Sequence, residues 1–113
     1  MDDFSINREL NGNVAVVIVS GRVDSVTAAK LDAELSKIVN ENKKIVLDLK
    51  DVGYMSSAGV RAIVRALQSA QKSAGGVKLA SVRAQVVRVL QTVGMMEMLQ
   101  TYPSVDEAIA SFS

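Results

Sequence analysis

Two adjacent serines, Ser56 and Ser57, followed by Ala58 and Gly59, stand where a strand-like run from Leu47 gives way to a helical pattern reaching Ile63. A helix start has backbone N–H groups without intrahelical partners and carries the positive end of the macrodipole, so a phosphate placed there finds donors and favourable charge. Ser57 is therefore a candidate switch. Serines at such a junction also serve as plain helix caps, and a capping role for Ser56 or Ser57 is compatible with modification of Ser57.

Other chemistry is excluded by composition. With Cys 0 and His 0, the chain has no thiolate nucleophile, no disulfide, no Ser-His-Asp triad and none of the usual zinc ligand sets. A serine nucleophile would need a lysine or carboxylate as its base, and the sequence places none convincingly beside Ser57. No Gly-x-x-x-x-Gly-Lys-Ser/Thr pattern occurs, so neither an enzyme nor a cofactor is expected. The net charge of +1 lacks the basic excess of a domain that binds nucleic acid directly. The longest apolar run, Val14 to Val19, is far short of the roughly 20 residues that span a bilayer, and no charged-then-apolar leader precedes it, so no membrane insertion and a cytoplasmic location are expected.

The elements that must position the serines follow from periodicity. At 113 residues with 49% hydrophobic and 4% aromatic content, residues 1–113 suit one domain whose core is built from Val, Ile, Leu, Ala and Met. Phe4, Ile6 and Leu10 alternate, Asn11-Gly12 signals a tight turn, and the Val14–Val19 strand is apolar enough for burial on both faces. From Asp24 or Ser25, as cap, a helix places Leu31, Leu35, Ile38 and Val39 on one face; a strand follows at Ile45–Leu49. The second helix has the stripe Val60, Ile63, Val64 and Leu67 and stops at Gly75-Gly76, read as positive-φ positions. Val77–Ser81 is a strand, Val86, Val87, Leu90 and Val93 a helix closed by Gly94, and Met98–Tyr102 a weak strand. Ser104 and Glu107 have the spacing of a capping box before a last helix with Val105, Ala108, Ile109 and Phe112 inward. The expected class is α/β: a mixed sheet opening with a hairpin, then alternating helices and strands, the later strands parallel.

Gly21-Arg-Val-Asp24, Ile45-Val-Leu-Asp-Leu49 and Tyr54-Met-Ser-Ser-Ala-Gly-Val60 together resemble the STAS domains, specifically the free-standing bacterial anti-sigma factor antagonists, over nearly the whole chain. The resemblance implies that Ser57 accepts a phosphate from a partner serine kinase that is also the anti-sigma factor. It further implies that the unmodified protein binds that kinase and frees a sigma factor, that phosphorylation abolishes binding, and that a serine phosphatase resets the switch. The family loop usually reads Asp-Ser-Ser-Gly or Asp-Ser-Thr-Gly. Here Ser56 stands in the aspartate position and Ala58 in that of the second hydroxyl residue. Asp24, Ser56, Ala58, Gly59, Arg61 and Arg65 are then candidates for the docking surface, with Asp24 equally readable as a cap. A different role on the same fold is that of an accessory or scaffold subunit, in a lipid-transport ATPase or a stressosome-type assembly.

From Val52 to Met96 the chain carries Arg61, Arg65, Lys72, Lys78, Arg83 and Arg88 and no acidic residue. Spacings of four and seven put Arg61, Arg65 and Lys72 on one face of the second helix, either an ordinary solvated face or a surface that steers an acidic partner. Met95, Met96 and Met98 read as core filler rather than an adaptable binding surface.

Overall fold

The computed structural model describes residues 3–113. Strands β1 (Ser5–Asn11) and β2 (Val14–Val23) form the hairpin, followed by helix α1 (Ser25–Glu41), β3 (Lys44–Met55), α2 (Ser57–Lys72), β4 (Gly76–Ala80), α3 (Ala84–Thr92), β5 (Thr101–Tyr102) and α4 (Val105–Ala110). The sheet runs β1-β2-β3-β4-β5. β1 is antiparallel to β2, and every later pairing is parallel, as helical crossovers require.

Alternation along the central strands makes two unequal layers. Ala15, Val17 and Val19 of β2, Ile45, Leu47 and Leu49 of β3, and Val77 and Leu79 of β4 face the main core, where Leu31, Leu35 and Ile38 of α1, Ile63 and Leu67 of α2, and Val86 and Leu90 of α3 meet them. Each fully buried Val, Leu or Ile side chain among these is worth about 1.5–3 kcal/mol relative to exposure. On the reverse face Val14, Val46 and Ala80 pack against α4 through Ala108, with Val105, Ile109 and Phe112 around it. Lys78 ties that helix down: its Nζ donates to the Ser111 carbonyl (3.1 Å) and lies 4.3 Å from the centre of the Phe112 ring.

Three local expectations change. β3 continues to Met55 rather than ending at Leu49, because register shifts against β2 between Ile18 and Ser20 and between Gly21 and Arg22 let Val52 and Met55 stay buried without strict alternation. The end of α2 takes its left-handed residue at Ala74 (φ 61°), not at a glycine. Gly75 then donates to the Ala70 carbonyl at 2.8 Å, which is the wrap-around closure of a helix end. A Cβ on Gly75 would lie 2.0 Å from the Lys43 carbonyl oxygen, so close backbone approach fixes this glycine. β5 shrinks to two residues because Leu99 N–H turns back to the Met95 carbonyl (3.0 Å) and Leu99 is buried.

Candidate functional site

The parallel strands β2 and β3 finish side by side, with Val23 opposite Met55 and the Ser56 N–H donating to the Val23 carbonyl at 2.8 Å. Helices α1 and α2 therefore start next to one another at the carboxyl end of the strands, the end at which open α/β sheets present their sites.

The segment leading into α1 has a physical reason at each position. Gly21 (φ 93°) admits the backbone of Asp3, whose carbonyl oxygen would be 2.3 Å from a Cβ there. Arg22 lays its guanidinium 3.9 Å from the centre of the Tyr54 ring on the neighbouring strand, a cation–π contact. Val23 is fully buried. Asp24 then caps α1, its Oδ1 accepting from the N–H groups of Val26 and Thr27 (3.0 Å each), while Thr27 Oγ1 accepts from the Asp24 N–H (2.9 Å) and donates to the Arg22 carbonyl (2.8 Å). The Thr27 N–H bond foremost, with Val26 and Arg22 assisting, holds the Asp24 carboxyl below the usual carboxylate range against the opposing effect of burial.

The start of α2 is unlike this. Ser56 is at the cap position with extended backbone but makes no side-chain cap bond, and its Oγ is buried without a partner. The first turn carries no acidic residue. Ser57, the first helical residue, is exposed, and Ala58 is half-buried against the core. Gly59 is buried where a Cβ would stand 2.7 Å from Val23 Cγ1 and 2.8 Å from Met55 Cγ, so the helix passes close beneath both strand ends. Arg61 is exposed and has no ion pair among the described residues. Arg65 sits two turns along α2, its Nε 3.1 Å from Asp32 Oδ1 of α1.

The structure thus gathers Asp24, Ser56, Ser57, Ala58 and Gly59 at one sheet end, with Arg61 a turn above them. Of the six basic residues, Arg61, Arg65 and Lys72 are all exposed on α2, with Arg65 paired to an acid of α1, whereas Arg83 donates to the Lys50 carbonyl (2.6 Å) and Lys78 belongs to the reverse face. Met95 and Met96 pack against the core as filler, whereas Met98 is 48% exposed. Two contacts beside the site go beyond the sequence reading: the stacking of Arg22 on Tyr54, and Gln85, whose Oε1 accepts the Met55 N–H at 2.9 Å from the first turn of α3.

The sequence profile described as the STAS domain matches residues 5–108. The chain belongs to the STAS domain family. Among similar proteins, the anti-sigma-B factor antagonist of Bacillus subtilis (strain 168) is 24% identical over 97 residues, covering 86% of this chain and 89% of the relative. The crystal structure of an anti-sigma factor antagonist from Mycobacterium paratuberculosis superposes with a TM-score of 0.88 at 25% identity, over 97% of this chain and 94% of that one. Unphosphorylated SpoIIAA, also an anti-sigma factor antagonist, shares the fold at a TM-score of 0.80 and 19% identity, over 96% of each chain. Within this STAS domain no described helix is long and apolar enough to cross a membrane, and no described group of three acidic side chains is placed to hold a metal ion.

Proposed function

We propose that this STAS domain is an anti-sigma factor antagonist, a non-enzymatic cytoplasmic module that binds an anti-sigma factor serine kinase through the paired starts of α1 and α2. Phosphorylation of Ser57 by that kinase ends the interaction, and a serine phosphatase restores it. The observation that carries the reading is Ser57 itself: an exposed hydroxyl on the first residue of a helix whose start has no acidic residue. The antagonists among its relatives support the partner class. A phosphate adds roughly −1.5 to −2 charges, and here it would enter a surface that already holds the ionised Asp24 and must dock closely. Asp24, Ser56, Ala58, Gly59 and Arg61 surround that point; Arg65, held by Asp32, borders it.

Affinity capture of the partner followed by incubation with ATP tests the reading. Phosphopeptide mapping should find the phosphate on Ser57. Ser57→Ala should bind the kinase and accept no phosphate, Ser57→Asp should bind poorly while remaining folded, and Ser56→Ala should still be modified. Modification at Ser56 alone, or full binding by the phosphorylated protein, overturns the mechanism. Capture of membrane components or a megadalton particle instead of an ATP-binding kinase would assign the domain to an assembly as a docking subunit.

A further inference from the structure

Arg61 is a cation of the site that has no ion pair among the described residues. It follows Ser57 by four residues on α2, so the two side chains share a helix face. Both line one groove of about 390 Å³ between α2 and the end of α3, with Val64, Arg65, Val93 and Met95 as its other principal walls. The groove walls supplied by the residues just after α3, Val93 and Met95, are apolar. The charged groups from the surrounding elements are already engaged: Asp24 by the N–H groups of Val26 and Thr27, Arg22 by the Tyr54 ring, Arg65 by Asp32, and Arg83 by the Lys50 carbonyl. A phosphate on Ser57 would therefore meet one uncommitted partner of opposite sign. The order is also the favourable one, with the anion N-terminal to the cation at this spacing, and a guanidinium matches two phosphate oxygens at once.

We infer that Arg61 is an internal counterion for phosphorylated Ser57: the phosphate draws the guanidinium onto itself along the α2 face. This rests on Ser57 being the modified residue and deepens that reading. Modification then alters two groups at once. In the unmodified protein Arg61 projects from the docking surface as a free cation; in the modified protein it is neutralised by its own helix and withdrawn from any acidic partner. The switch removes an attractive group as well as adding a repulsive one.

Installing phosphoserine at position 57 during translation tests this without any kinase, so a kinase that chooses another serine would defeat the functional reading and leave this measurement intact. Phosphorus-31 NMR follows the second ionisation of the phosphate, ordinarily near pH 6. Pairing with Arg61 favours the dianion, so Arg61→Gln should raise that midpoint by about 0.3 pH unit or more. Arg61→Lys should raise it by less, and the Arg61 Nε–H resonance should move as the phosphate titrates. Arg65→Gln, which removes a cation already held by Asp32, should leave the midpoint near its original value. An unchanged midpoint in Arg61→Gln, or an equal rise in Arg65→Gln, overturns the pairing; the latter would mean a diffuse field acts rather than one counterion.

Discussion

Helices α1 and α2 leave neighbouring parallel strands at the same end of the sheet, yet their first turns are built in opposite ways. At α1 an ionised aspartate and a threonine exchange bonds until the junction is closed. At α2 the residue in the same place is a serine whose hydroxyl is buried and bonds to nothing, and the turn above it is free of acid. The first start is finished by its own side chains. The second has no side-chain cap and no acidic residue to compensate its positive dipole, which keeps the place open to a negative group from outside the fold. Two helix starts thus separate two tasks: one fixes the geometry of the end of the sheet, and the other, in the function proposed above, receives the modification.

The sharpest way to break this division is at the contact that holds the open start in place. Gly59→Val sets a branched side chain against Val23 and Met55, and overpacking of this kind costs about 1–3 kcal/mol; a lower midpoint in chemical denaturation would show it. If stability is unchanged, α2 does not depend on close seating beneath the strand ends.

A smaller loss is expected from Asp24→Ala, which removes the cap of the closed start; thermal unfolding should occur at lower temperature, and the amides of Val26 and Thr27 should exchange faster with solvent. The pH dependence carries its own sign. Because the folded carboxyl lies below its ordinary value, its contribution is complete above about pH 4 and is lost as pH falls through the folded midpoint. The stability gap between the parent and Asp24→Asn should accordingly narrow on acidification, and a gap that widens would contradict the assignment.

The smallest effects belong to the open start. Ser56→Ala removes a hydroxyl with no partner, so it should be neutral or stabilising by up to about 1 kcal/mol, in contrast to the loss usual when a working serine cap is deleted. Ser56→Asp should stabilise α2 by about 0.3–1 kcal/mol through its dipole. A clear loss in Ser56→Ala would mean that this start is capped after all, and the two junctions would no longer differ in kind.

Much of this arrangement is written locally in the sequence. The period of Leu31, Leu35 and Ile38 gives the inward face of α1, and Asp24 three residues before Thr27 provides a cap without help from distant residues. Ser57 is recognisable as the first residue of a helix by the change of period around it. What sequence reading does not give is set by distance or by geometry. The bond from Met55 to Gln85 joins residues thirty positions apart, and the Arg65–Asp32 pair joins two helices. Serine is a good capping residue by type, and only the placement of its side chain reveals that Ser56 does not cap. The closing bond from Gly75 to Ala70 is local, but the demand for glycine comes from Lys43, across the sheet end, so a helix stop and a steric requirement look alike in the sequence.

The order of the strands in the sheet is the order of the strands in the chain. Each strand therefore adds to an edge that the preceding segment has already made, and no strand must wait for a later one to be inserted beside it. Loop closure is limited at every step to a single intervening turn or helix, which keeps its entropic cost low. Every strand finds its first pairing partner earlier in the sequence, and the backbone frame around Asp24 and Ser57 needs only β2, β3 and the starts of α1 and α2. β4, α3, β5 and α4 extend and cover that frame, α3 adding the Gln85 bond to the Met55 N–H beside the candidate site.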